Sequence, residues 1–179
     1  NHENPFLSTY LIQNSIWWVE TLGLAGIRQD TYPYSQKKFL EQWTCQLMNE
    51  YPGFSIVGEE WSTNPVIAAY WQKGKSNTTG YNGCLKSTMD FPIQSALMQA
   101  LTEPESWDKG LVKLYEALAN DFVYASPKDL LVFGDNHDMD RVFTSLKKNP
   151  ELMQMAMSYL LTIRGIPQIY YGTELLMEN

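Results

Sequence analysis

Five times along this chain a stretch with helical periodicity gives way to a short apolar run, and that alternation constrains the fold more than any single residue does. Asn4-Pro5 reads as an N-cap with proline at the first helical position, and Leu7, Leu11, Trp18 and Leu22 share one helical face before Gly23 stops the pattern. The run Gly26-Ile27-Arg28-Gln29-Asp30 follows, too apolar around its charges for a surface loop and too short for a helix, so it reads as a buried strand. Phe39, Trp43, Leu47 and Tyr51 then place a second helix over 35–51, which Pro52-Gly53 closes. Residues 54–59 form the next strand, 63–72 a short helix, and 73–83 a polar loop rich in Gly and Asn. That loop contains Asn77-Thr78-Thr79, formally a glycosylation acceptor. Further strands are expected at 88–91, 130–133 and 168–171, with helices at 93–101, 107–124 and 151–163.

Helices alternating with short apolar strands imply an α/β fold with a parallel sheet. An open doubly wound sheet would show a glycine-rich phosphate turn after its first strand, and no G-x-G-x-x-G, P-loop or G-x-S-x-G occurs. In a closed (β/α) barrel, functional residues instead sit at the C-terminal ends of several strands. Asp30, Glu59 and Asp138 are placed in that way, which favours the barrel.

A hydrophobic share of 44% against 18% charged residues describes a globular chain. The net charge of -7 argues against nucleic acid or an anionic membrane as partner, and no apolar run reaches the length of a membrane span. Six Trp and eleven Tyr suit stacking on sugar faces, with core packing and subunit interfaces as alternatives. Cys45 and Cys84 show neither C-x-x-C nor zinc spacing, so the redox compartment stays open.

Alternation along the first strand puts Arg28 and Asp30 on one face, where the guanidinium stabilises an ionised carboxylate. Such a group serves as a nucleophile or as half of a structural ion pair. Glu59 ends an apolar strand beside Glu60, a setting that suits a general acid; a solvated strand end is the alternative. Two carboxylates flanking one bond are the machinery of glycoside hydrolysis. Asp135-Asn136-His137-Asp138, with Asp140 and Arg141 after it, reads as a hydrogen-bonding cluster for sugar hydroxyls, a polar helix cap, or a metal site.

Gly26-Ile27-Arg28-Gln29-Asp30, Ile56-Val57-Gly58-Glu59, Asn136-His137-Asp138 and the stretch from Gly165 to Glu174 resemble, in order and spacing, four sequence blocks of the α-amylase family. Residues 14–18, 30–34 and 89–92 look most like its neopullulanase and cyclomaltodextrinase branch. The resemblance implies a partial (β/α)8 TIM barrel covering roughly strands four to eight, with residues 1–179 as the C-terminal part of the catalytic domain. Strands one to three, an inserted domain and a terminal β-sandwich would be absent, since a complete barrel takes roughly 250 residues. It further implies a retaining hydrolase of α-1,4-glucosidic bonds in maltooligosaccharides, cyclodextrins, pullulan or starch. Alternatives are a transglycosylase or α-glucosidase on the same residues, or a non-catalytic glucan-binding fragment. Asp30 would be the nucleophile, Glu59 the acid and base, and Asp138, helped by His137, the residue gripping the sugar hydroxyls. Arg28 would hold Asp30 ionised, while Tyr32, Trp61 and Arg141 would line sugar subsites. No firm cofactor is implied, although a structural calcium in the parent enzyme fits the family. Expected partners are α-glucans, together with a homodimer or the missing part of the barrel. Two departures stand out: Asn1-His2 does not match the family's first block, and Glu60 occupies a position that is often apolar.

Overall fold

Short polar caps set where the chain leaves the sheet. In the computed structural model, which describes residues 2–179, Asn4 accepts the amides of Phe6 and Leu7 and Pro5 opens α1 (Pro5–Leu22). Left-handed Gly23 ends this helix. The same device of an Asn or Asp cap followed by proline starts α3 (Pro65–Tyr70), α4 (Phe91–Thr102) and α7 (Pro150–Thr162). The remaining helices are α2 (Lys37–Glu50), α5 (Val112–Ala119) and the short α6 (Val142–Ser145).

Five strands run between them: β1 (Gly26–Gln29), β2 (Ser55–Gly58), β3 (Ser87–Thr88), β4 (Leu131–Phe133) and β5 (Ile166–Gln168). β1, β2 and β3 pair in parallel in that order, and β4 pairs in parallel with β5. A parallel bridge from Met89 to Leu131, with the Asp90 amide donating to the Leu131 carbonyl at 2.8 Å, joins the two sheets. Every strand therefore lies beside its neighbour in sequence. A doubly wound sheet reverses its strand order part-way, whereas a (β/α) barrel does not, so the topology follows the barrel expectation.

Apolar side chains collect on both sides of this bridge. Leu40, Trp43, Leu47, Phe54 and Ile56 pack beneath β1 and β2. Leu97, Val132, Leu146, Ala156 and Leu160 pack beneath β4 and β5. Met89, Phe91 and Phe133 fill the space at the junction. Among the described residues, no helix is long and apolar enough to cross a membrane.

Several expectations need correction. The buried face of α1 is Ser8, Ile12 and Val19, whereas Trp18 and Leu22 are exposed. β1 is not a buried strand, because it lies at the edge of its sheet with Gly26 exposed and the rest half-buried. The last strand starts at Ile166, two residues early: at Gly165, with a φ of +106°, a side chain would come within 2.9 Å of the Leu130 carbonyl, so only glycine fits where the chain turns onto β4. Pro167 is tolerated there because β5 is also an edge. The expected helix over 107–124 is broken, with α5 giving way to a 3-10 turn at Asn120–Val123.

Candidate active site

The C-terminal ends of β1, β2 and β4 bring three carboxylates together. Residue 30 follows β1 directly and residue 59 follows β2, and since Gln29 pairs with Gly58 the two ends are level. Asp138 comes from the turn after β4, where the Asn136 side chain accepts the Asp138 amide at 2.9 Å and folds the loop back towards the strands. Carboxylate oxygens of Asp30, Glu59 and Asp138 all lie within 4.8 Å of one another.

Arg28 sits among them. Its Nη1 donates to Asp30 at 3.0 Å, its Nη2 bonds Glu59, and the same Nη2 lies 3.7 Å from Asp138. The guanidinium thus offsets part of the mutual repulsion of three carboxylates. Their environments differ. Glu59 is 1% exposed, against 63% and 43% for the side chains of Asp30 and Asp138. The second Glu59 oxygen accepts the main-chain amide of Thr31 at 2.9 Å. His137, exposed to solvent, lies with Nε2 3.2 Å from Asp138. Sequence reasoning missed the Thr31 amide, since a main-chain donor leaves no letter in the sequence. It also missed the turn at Asn136, for which the short polar residue two places before Asp138 was the available signal.

Two carboxylates that close together can flank a single glycosidic bond; comparison with known proteins gives the family. The family model "Alpha amylase, catalytic domain" matches residues 1–179, the whole of the chain. The chain belongs to the α-amylase family. It is 32% identical over 174 residues to a cyclomaltodextrin glucanotransferase of Bacillus licheniformis, covering 97% of this chain and 23% of that protein. Identity to an alpha-amylase of Niallia circulans is 31% over 181 residues, or 100% of this chain and 32% of the relative. Among solved structures, the alpha-amylase of Geobacillus thermoleovorans complexed with acarbose superposes with a TM-score of 0.85 at 32% identity, over 100% of this chain and 39% of that one. The chain therefore spans about a quarter to two fifths of the length of these relatives, and its fold is the TIM barrel of the α-amylase catalytic domain.

Within that α-amylase domain the other candidate residues separate clearly. Trp61 remains at the surface, stacked on Phe91 with ring centroids 4.5 Å apart. It shares with Asp138, Met139 and Asp140 the wall of a cleft of about 480 Å³. Tyr32 does not line a subsite: it is fully buried, and its hydroxyl meets that of Tyr81 at 2.8 Å. Arg141 is also buried, donating to the Tyr171 carbonyl at 2.6 Å beneath the rings of Tyr170 and Tyr171, so it braces the chain behind the site. Glu60 is neither solvated nor turned towards Glu59's partners. It accepts the Trp71 indole at 2.8 Å and the Ser62 amide at 3.2 Å.

The metal reading of residues 135–140 fails on direction. Asp135 accepts the Val142 amide at 2.8 Å, and burial pushes its carboxyl up against the pull of that bond, whereas Asp140 turns away to Asn179. Asp30, Glu59 and Asp138 are spaced closely enough for a cation, but Arg28 already sits within ion-pair distance of all three. A calcium ion there would meet a fixed positive charge, so the donor set does not fit one.

Proposed function

We propose that this chain supplies the catalytic carboxylates of a retaining glycoside hydrolase acting on α-1,4-glucosidic bonds of maltooligosaccharides, cyclodextrins, pullulan or starch. The observation that carries the reading is the meeting of Asp30, Glu59 and Asp138 around one guanidinium, at a spacing suited to a double displacement. Asp30, the most exposed of the three, attacks the anomeric carbon and forms the glycosyl-enzyme. Glu59 protonates the leaving oxygen and then takes a proton from the incoming water. In the free chain both Glu59 oxygens accept hydrogen bonds, from Arg28 and from the Thr31 amide. Entry of a glycosidic oxygen displaces the Arg28 contact, and that oxygen becomes the one bearing the proton. Asp138, with His137 beside it, holds hydroxyls of the reacting sugar, and Trp61 offers it an aromatic wall.

The same reading places β1 to β5 as strands four to eight of the family's barrel, in the neopullulanase and cyclomaltodextrinase branch. Several relatives are named cyclomaltodextrin glucanotransferase, which supports a second reading: a sugar hydroxyl in place of water as acceptor. Products longer than the substrate, or cyclic ones, separate the two.

The test is Asp30→Asn in the full protein. Turnover should fall by about a thousandfold or more, as loss of a covalent nucleophile produces, with maltooligosaccharide binding retained. The first product should keep the α-configuration by proton NMR. Unchanged turnover removes the enzyme reading and leaves a glucan-binding role.

A further inference from the structure

Arg28 is divided among three carboxylates, so it cannot by itself fix the direction of any one of them. The Thr31 amide, by contrast, serves Glu59 alone. It comes from a threonine in the left-handed region, at φ 43° and ψ 46°. A β-branched residue is strained in that region and stays there only when its surroundings hold it.

What holds it is the next residue. The Tyr32 amide donates to the Glu59 carbonyl at 3.1 Å, and its ring packs against β2, so close that a side chain at Gly58 would come within 2.9 Å of it. The far end of the ring is tied through its hydroxyl to Tyr81. Tyr81 belongs to the loop 73–86, which has no regular structure of its own. Two devices fix that loop. The Asn77 side chain bonds both the amide and the carbonyl of Tyr81, and a Cys45–Cys84 disulfide fastens the loop to α2. Next to the disulfide, the Cys84 amide donates to Thr44 at 3.0 Å.

We infer that the buried pair Tyr32–Tyr81, latched to α2 by the Cys45–Cys84 disulfide, is a positioning unit for Glu59 that fixes the Thr31 amide on its carboxylate. This rests on the reading of Glu59 as acid and base. Burial pushes the Tyr81 hydroxyl up to about 12 and the Tyr32 hydroxyl higher still, so both stay protonated wherever the protein works and the tie does not switch with pH.

The experiment uses Tyr81→Phe, the double variant Tyr32→Phe/Tyr81→Phe and Cys84→Ser in the full protein, with Asp30→Asn as control. Tyr81→Phe should lower kcat about five- to twentyfold, as a small misplacement of a catalytic group does, with KM within about twofold. The Thr31 amide proton should move upfield as its bond to Glu59 weakens. In the double variant no hydroxyl is left unpaired, so stability should recover while kcat does not. Cys84→Ser should lower kcat similarly and add little to Tyr81→Phe. Wild-type kcat in Tyr81→Phe, or kcat recovering with stability in the double variant, overturns the inference. If Asp30→Asn retains full turnover, it is the catalytic reading itself that fails.

Discussion

Arg164 does for the back of the sheet what Arg28 does for the front. It bonds Asp90, whose carboxylate also caps α4 through the Ile93 amide, and it grips Asp121 through Nε at 2.9 Å and through Nη2 at 2.6 Å. One side chain thereby ties the end of β3, the turn before β4 and the entry to β5. Arg164→Ala would leave two carboxylates unpaired, one of them fully buried, and should cost about 3–5 kcal/mol. Arg164→Lys, which keeps the charge but not the fork, should lie between the two. Urea titrations of both variants check this; a loss under about 1 kcal/mol for Arg164→Ala would show that the tie is unimportant. Nothing local in the sequence hinted at this triad, because its members stand 43 and 74 residues from Arg164. Asp30, Glu59 and Asp138 were legible for the opposite reason. Each follows a short apolar run, and in alternating helix–strand architecture the ends of such runs share one rim. Tyr32 and Arg141 misled because proximity in sequence to such an end says nothing about which way the side chain turns.

At the level of elements, helix existence was readable and helix orientation less so. In α2 the expected residues Phe39, Trp43 and Leu47 are all buried, together with Leu40, Thr44 and Met48 beside them. α1 carries apolar residues nearly all round, so its buried face was decided by fit to α2, where the Trp43 indole donates to Ser15, and not by size. Strand limits shifted wherever a cap competed for the same residues: Asp90 caps α4 and ends β3 short of the expected 88–91. The loop was legible over 73–83, short of its observed end at 86, and not as a fixed one, because two cysteines 39 residues apart carry no local spacing signal. Closing a segment of that length stabilises a fold by about 4 kcal/mol in the chain-entropy view. Cys45→Ser/Cys84→Ser should lower the urea midpoint by a comparable free energy, with the loop's amides losing hydrogen-exchange protection first. Equal protection with and without the disulfide would mean that Asn77 and Tyr81 suffice to hold the loop.

For the molecule as a whole, the decisive feature is that β1 and β5 each pair on one side only, so the five strands form an open arc. Asp30 and Asp138 open to solvent beyond the strand ends, while Glu59 alone of the three is shielded. In the proposed mechanism an oxocarbenium-like transition state gains most from fixed charges when water is excluded, and an arc open at both edges admits water beside Asp30. Relatives that extend two to four times the length of this chain have sequence enough to close such a wall. The proposed assignment to strands four to eight therefore carries a kinetic consequence. This chain alone should hydrolyse maltotriose at least about a hundredfold more slowly than the longer protein containing it, the deficit lying mainly in kcat, because misplaced or solvated catalytic groups act on the chemical step. Supplying the remaining barrel strands as a separate polypeptide should recover part of the loss, by pairing with the free edges of β1 and β5. Steady-state rates for the chain alone, for the mixture and for the intact protein check both points. Full activity from the isolated chain would mean that the arc is a sufficient active site, and the assignment to five strands of a closed eight-stranded barrel would then fall.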